Sequence, residues 1–263
     1  MQADVENVKI WRLSDEPGRS VEDIVAREFP LTIILNDREL VTLLCSPADL
    51  KNLAIGFLCS EGLLTNKEDI KKVLVDETRG VVRVESSDGK GDADEVFKRF
   101  ISSGCGRGAS FYSAADVTGV SKIQSDVTVS RFEVAALFKE FQHRSELYHS
   151  TGGVHSAALC DSKNIIAFSE DVGRHNAVDK IFGKCFLEGI STADRLVLTS
   201  GRISSEILLK VARRSIPLLA SKSAPTDLGV KLARDMGVTL LGFVRGARMN
   251  VYANEWRVHD TRP

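Results

Sequence analysis

Leu196-Val197-Leu198, Pro217-Leu218-Leu219-Ala220 and Val238-Thr239-Leu240-Leu241 are three short apolar runs, and the segments between them, 203–214 and 226–236, repeat apolar positions at helical spacing. Runs of that length bounded by turn residues suit buried strands, and their alternation with helices predicts a layered α/β sheet. Upstream, apolar runs at 157–160 and 165–168 and a helix-like segment at 175–188 extend the pattern. Residues 129–263 therefore read as a three-layer α/β domain. In such sheets ligands collect beyond the carboxyl ends of strands, where loops enter helices. At those places the chain puts Thr199-Ser200-Gly201-Arg202, Ser221-Lys222-Ser223 and Phe243-Val244-Arg245, which are hydroxyls, glycines and cations in succession.

The first half is patterned differently. Residues 29–45 alternate apolar and polar positions around Asn36-Asp37-Arg38-Glu39, a hairpin signal. Ser46-Pro47 opens a helix expected to run to about residue 64, with Pro47 at its first turn and Leu50, Leu53, Ala54, Phe57 and Leu58 on one face. Residues 80–84 read as a strand, and the polar stretch at 86–92 as a turn. A single amphipathic helix is expected over 129–147 from Phe132, Ala135, Ala136, Leu137, Phe138 and Phe141. Residues 1–128 thus form a smaller α+β lobe.

With 263 residues, 43% of them hydrophobic, the chain has enough apolar material for a sizeable core. A formal net charge of -1 argues against a general nucleic-acid binder and for a small anionic partner. No run is long enough to span a bilayer and the amino terminus lacks a signal-peptide pattern, so a cytoplasmic protein is expected. The five cysteines are an odd number without metal-ligand spacing, which disfavours a disulfide framework or a zinc ribbon.

Three segments carry chemistry. Glu170-Asp171-Val172-Gly173-Arg174-His175-Asn176 crowds polar groups and a glycine where a helix begins, a junction that suits an anion such as phosphate; the alternative is a charged helix start facing water. Ser103-Gly104-Cys105-Gly106-Arg107-Gly108 sets a thiol between glycines with a guanidinium nearby, which favours the reactive thiolate. Cys45, Cys59, Cys160 and Cys185 sit in apolar or strand-end settings that suit packing. Phe243-Val244-Arg245-Gly246-Ala247-Arg248 offers an aromatic ring and two guanidiniums, the parts needed to stack a purine and fork onto phosphates, or else a solvated turn. Ser221, Lys222 and Ser223 are candidates for further ligand contacts or for capping the next helix. His155 and His175 are either core hydrogen-bonding residues or ligand contacts.

Together with Thr151-Gly152-Gly153-Val154-His155 and the Leu53 to Gly62 segment, these motifs resemble the FdhD family, sulfurtransferases that mature formate dehydrogenase. The resemblance runs from about Leu53 to Tyr252 and is weak over residues 1–28 and 114–148. It implies the cytidine-deaminase-like version of the three-layer fold, with Cys105 carrying a persulfide taken from a cysteine desulfurase. It further implies that Phe243 to Arg248, assisted by Gly173, Arg174, His175, Ser221, Lys222 and Ser223, bind bis-molybdopterin guanine dinucleotide, the molybdenum cofactor, with GDP as an analogue. Formate dehydrogenase and the desulfurase are the expected partners, and a homodimer the expected assembly. The family commonly has Cys-x-x-Cys where this chain has Cys105 and Gly108, so a step needing a second thiol is in doubt. A cofactor-binding chaperone without covalent sulfur transfer is the rival reading. A zinc deaminase is disfavoured and no metal is expected, because His155-Ser156-Ala157 lacks the required glutamate and Cys-x-x-Cys is absent.

Overall fold

The computed structural model describes residues 4–15, 17–87 and 122–261, and the following elements are those of the described residues. β1 (Val5–Arg12) and β2 (Arg19–Ala26) form an antiparallel hairpin. β3 (Phe29–Leu35) and β4 (Arg38–Cys45) form a second, joined by Asn36 and Asp37, whose φ angles of 48° and 63° give the left-handed pair a two-residue hairpin loop requires. Helix α1 (Leu50–Ser60) follows, then β5 (Ile70–Asp76) and β6 (Val81–Ser86), which complete a four-stranded sheet in the order β4-β3-β6-β5. Leu31, Ile33 and Leu35 of β3 and Val82 and Val84 of β6 pack with Leu50, Leu53, Ala54, Phe57 and Leu58 of α1. The helix is shorter than the sequence suggested at both ends. It starts after Asp49, held at φ 60°, so Pro47 precedes the first turn. It stops at Ser60 because Gly62 turns left-handed at φ 77° and the Leu63 and Leu64 amides fold back to donate to Leu58 O.

β7 (Val129–Ser130) leads into α2 (Arg131–His143), opened by a capping box in which Ser130 and Glu133 satisfy each other's backbone amides. The expected single helix over 129–147 is two. Past His143 the chain bends, the Ser145 hydroxyl donates back to Phe141 O, and α3 (Glu146–Thr151) begins with the Leu147 and Tyr148 amides donating to the Glu170 carboxylate. The remaining elements are β8 (His155–Cys160), β9 (Ile165–Asp171), α4 (Arg174–Glu188), β10 (Leu196–Thr199), α5 (Ser205–Arg213) and β11 (Leu218–Ser221). After them come α6 (Asp227–Met236), β12 (Thr239–Arg245), β13 (Arg248–Ala253) and β14 (Val258–His259). A six-stranded sheet runs β13-β12-β11-β10-β8-β9, with β10, β11 and β12 parallel and antiparallel strands on both flanks.

The alternation of side chains along these strands builds two cores. Ala157, Leu159, Val197, Leu219 and Leu240 point toward α4, α5 and α6, while Ala158, Leu196, Leu198, Leu218, Ala220 and Leu241 meet Val134, Leu137, Phe138 and Phe141 of α2. Strands buried on both faces explain why the runs read as continuously apolar. The architecture is the α/β fold in three layers that the sequence indicates. No helix of the described residues is long and apolar enough to cross a membrane.

Helices α1 and α4 cross backbone to backbone. A Cβ placed on Gly56 would lie 1.8 Å from Asp179 O, and one on Gly183 would lie 1.9 Å from Asn52 O. The polar residues of α4 converge on the same seam. Lys180 Nζ sits 2.7 Å from Asp171 Oδ2 with both side chains buried, and Asn176 Nδ2 donates to Asp171 Oδ1 and to Leu44 O. Asp179 accepts from Ser60 Oγ at 2.6 Å and from Lys210 Nζ at 2.8 Å, which ties α1, α4 and α5 together. Much of the polarity that suggested an anion site at residues 170–180 is therefore internal pairing.

Candidate functional site

The sheet topology brings the three strand-end motifs to one edge. Ser200, Lys222 and Ser223, just beyond the ends of β10 and β11, and Phe243 and Arg245, in the last residues of β12, join His155 at the start of β8 around a cavity of about 560 Å³. Tyr148, His149, Gly152 and Gly153, on and after α3, form the facing wall. Glu170 fixes that wall by accepting the α3 amides; burial pushes its carboxyl up, and the hydrogen bonds from Leu147, Tyr148 and Ser156 work against that.

Phe243 is placed by a backbone irregularity. Pairing between β12 and β13 slips between Gly242 and Arg245, and Phe243 takes φ 52°, a left-handed conformation unusual for an aromatic residue. The bulge leaves the ring exposed at the cavity rim while Val244 turns into the core beneath. Arg245 Nη1 donates to Lys222 O at 2.6 Å and to Val244 O at 2.9 Å, so one corner of the guanidinium braces the Lys222 loop while its remaining donors have no partner among the described residues. Burial, with Arg245 close by, lowers the Lys222 ammonium pKa. Gly246 at φ 55° and Ala247 make the two-residue turn to Arg248, and these three lie past the cavity lining.

Ser221 is a structural support: its buried hydroxyl donates to Gly201 O and accepts from the Ser223 amide. The helix cap that Ser221 to Ser223 offered falls to Thr226, whose hydroxyl accepts from Gly229 N. At the glycine junction, Gly173 holds φ −100°, so no left-handed turn demands it; an added Cβ would instead strike Asn176 Nδ2 at 2.7 Å. Arg174 packs under Gly201, where an added Cβ would come within 2.9 Å of Arg174 Cβ. His175 Nε2 lies 3.0 Å from Glu206. These three sit beside the cavity, behind His155, rather than lining it. His155 is half-buried, and its pKa is lowered by burial first, then by the positive charge of Arg174 and the neighbouring His175, against Asp171.

Cys105 lies outside the described residues. The four other thiols are buried, and burial is the first cause that pushes Cys45, Cys59 and Cys160 up to about 12 and Cys185 up to about 11. At neutral pH none of them supplies appreciable thiolate. Sequence reasoning singled out Lys222, Ser223, Phe243 and Arg245 and quoted the motifs carrying Gly152, Gly153, His155 and Ser200. It missed Tyr148 and His149, since a helix amphipathicity pattern gives no sign that a chain bend turns these side chains to a cavity.

A family model described as the FdhD/NarQ family matches residues 26–259. Relatives named sulfur carrier protein FdhD include one from Bacillus subtilis, 42% identical over 95% of this chain and 96% of its own length. Another, from Listeria monocytogenes, is 41% identical over 97% of this chain and 98% of its own. Among solved structures, a protein from Desulfotalea psychrophila assigned as a formate dehydrogenase accessory protein superposes with a TM-score of 0.83 at 28% identity, covering 97% of this chain and all 100% of that one. Motif order, architecture and similarity over nearly the whole length agree, and the chain belongs to the FdhD/NarQ family.

Proposed function

We propose that this protein is a cytoplasmic sulfur carrier supporting formate dehydrogenase, which takes sulfur onto Cys105 and delivers it to bis-molybdopterin guanine dinucleotide held in the cavity beneath Phe243. The observation that carries this reading is the convergence of Lys222, Arg245, Phe243 and Ser223 on one cavity from two strand ends. Cations and hydroxyls suit the phosphates of a nucleotide and the exposed ring suits its base, so the residues present fit a guanine nucleotide arm of such a cofactor. Loading is thiol chemistry: the Cys105 thiolate attacks the terminal sulfur of a desulfurase persulfide, the donor's S–S bond breaks, and the desulfurase thiolate leaves. The relatives' names support sulfur carriage as the general role.

Incubation with a cysteine desulfurase and cysteine should add one sulfur, mapped to Cys105 by intact-mass and peptide mass spectrometry. Under mild alkylation of the native protein Cys105 should label well ahead of Cys45, Cys59, Cys160 and Cys185, whose thiols are buried. Sulfur on another cysteine, or on none, overturns the carrier reading; in the second case with nucleotide binding retained, the chaperone reading takes its place.

Nucleotide binding has its own test. GDP should bind in calorimetry, and Arg245→Ala should weaken it about tenfold or more, the scale of one charge-assisted contact. Unchanged affinity in that variant would remove Arg245 from the site.

A further inference from the structure

Helix α3 borrows its N-terminal cap from another element. At six residues it is too short to hold its own shape, and its first amides have no acceptor inside it. Ser145, the residue placed to cap them, makes no such bond; its hydroxyl donates back to Phe141 O at 3.1 Å. The Glu170 carboxylate, near the end of β9, takes over: Leu147 N donates to Oε2 and Tyr148 N to Oε1, each at 3.0 Å. Ser156 Oγ of β8 lies 3.4 Å from Oε1 and 2.9 Å from Ser145 Oγ, which ties the arrangement to the sheet. The far end of α3 closes on itself, with Gly152 at φ 65° and its amide donating to Tyr148 O at 2.7 Å. One carboxylate therefore anchors the start of the segment that brings Tyr148 and His149 to the cavity.

We propose that Glu170 is a positioning residue of this cavity: its ionised carboxylate holds α3 so that Tyr148 and His149 close on the bound ligand, and protonation slackens that wall and weakens binding. Each of the two amides needs an oxygen, and the ionised group offers two equal, charge-assisted acceptors. The acid form keeps one carbonyl oxygen and turns the other into a hydroxyl with its own proton to place. Among the charged groups nearby, His149 on α3 favours the ionised form, while Lys180 of α4 reaches Glu170 O at 3.3 Å and is already paired with Asp171. β8 contributes the neutral Ser156, and α2 meets β9 through the rings of Phe141 and Phe168. Burial places the protonation above the ordinary glutamate range, so the grip is full in neutral solution and is lost as pH falls through the raised value. The inference rests on the nucleotide reading of the cavity given above.

The test compares the full-length wild type with Glu170→Gln, which keeps the size of the side chain but not its charge. At neutral pH the variant should bind GDP about tenfold more weakly in calorimetry, and this ratio should shrink toward one in mild acid as the wild type loses its carboxylate. Taking the ratio cancels the titration of GDP and of His155, which both proteins share. Hydrogen exchange followed by NMR in the ligand-free proteins gives a second readout: the Leu147 and Tyr148 amides should be protected about tenfold more in the wild type at neutral pH, and the difference should vanish in acid. Tyr148→Ala, at an exposed position that folding does not need, should weaken GDP about fivefold or more with Glu170 intact. GDP binding that Arg245→Ala weakens, with a wild-type to Glu170→Gln ratio that stays constant across pH, overturns the proposal and spares the nucleotide reading. Equal protection of the two amides in both proteins, or wild-type affinity in Tyr148→Ala, also overturns it. Failure of the wild type to bind GDP removes both.

Discussion

Gly56→Ala lowers the melting temperature by about 6 °C or more, the expected result of forcing a methyl group into the crossing of α1 and α4. The added carbon would stand 1.8 Å from Asp179 O and 2.8 Å from Gly183 N. Both are backbone atoms of a buried helix, so no flexible side chain swings aside, and the helices must part. Parting opens voids among Leu53, Phe57 and Phe186, which share one core. Overpacking of this kind typically costs 1–3 kcal/mol, and with backbone on both sides about 3 kcal/mol is expected even after alanine's better helix propensity is counted. For a chain of this size each kcal/mol moves the midpoint by roughly 2–4 °C. Gly183→Ala should behave alike, and the two together should cost less than their sum, since the first has already separated the helices. A thermal scan decides it: a Gly56→Ala midpoint within about 1 °C of wild type would mean the helices do not meet as described.

The second large effect concerns the buried charges on the same seam. Lys210→Met strands the Asp179 carboxylate in the interior with Ser60 as its remaining polar partner among those described, and about 3–5 kcal/mol should be lost. Burial would lower the Lys210 pKa, but Asp179 and Glu61 more than compensate and hold it above the ordinary value, so the ammonium is charged in the native state. Asp179→Leu combined with Lys210→Met should regain much of the loss, because a buried pair replaced by apolar groups of similar volume is often nearly neutral. In Lys210→Met, burial keeps the Asp179 carboxyl raised above its unfolded value. The native state then binds the proton more tightly than the unfolded chain. The stabilisation this gives is full below the ordinary aspartate range and fades as pH rises through the raised value, so the deficit of the single variant should shrink in acid. Denaturant unfolding of the four proteins of this cycle supplies the measurement. A coupling below about 0.5 kcal/mol between positions 179 and 210 contradicts the network.

The central sheet was legible because its strands are buried on both faces, so that runs such as Leu196-Val197-Leu198 are apolar at every position and bounded by turn chemistry. The hairpin β3–β4 was legible for a similar reason, in that Asn36-Asp37 suits a left-handed loop. The β1–β2 ribbon escaped notice because its exposed Trp11, Ile24 and Val25 and its interspersed charges give no clean period. The polar helix α4 was misread for want of its partners: Lys210 pairs with Asp179 from 31 positions away and Ser60 from 119, and no local pattern reports contacts at such separation. The site divides in the same way. That Lys222 and Arg245 come together was legible because one follows the end of β11 and the other closes β12, a placement topology turns into proximity. The bracing of Lys222 O by Arg245, the burial of Ser221 and the facing wall of α3 depend on geometry that sequence spacing does not encode.

The left-handed backbone at Phe243 sets two selective pressures against each other at one codon. Judged by folding alone, glycine is the fitter residue there, since a bulky side chain at positive φ costs on the order of 1 kcal/mol and its exposed ring recovers little by burial. Judged by grip on a planar ligand, glycine is useless. A population evolved for thermal endurance alone would drift to the smaller residue, and one selected for the ligand contact proposed for the ring would keep it; under that proposal the amino acid found at this position is a record of which demand has governed.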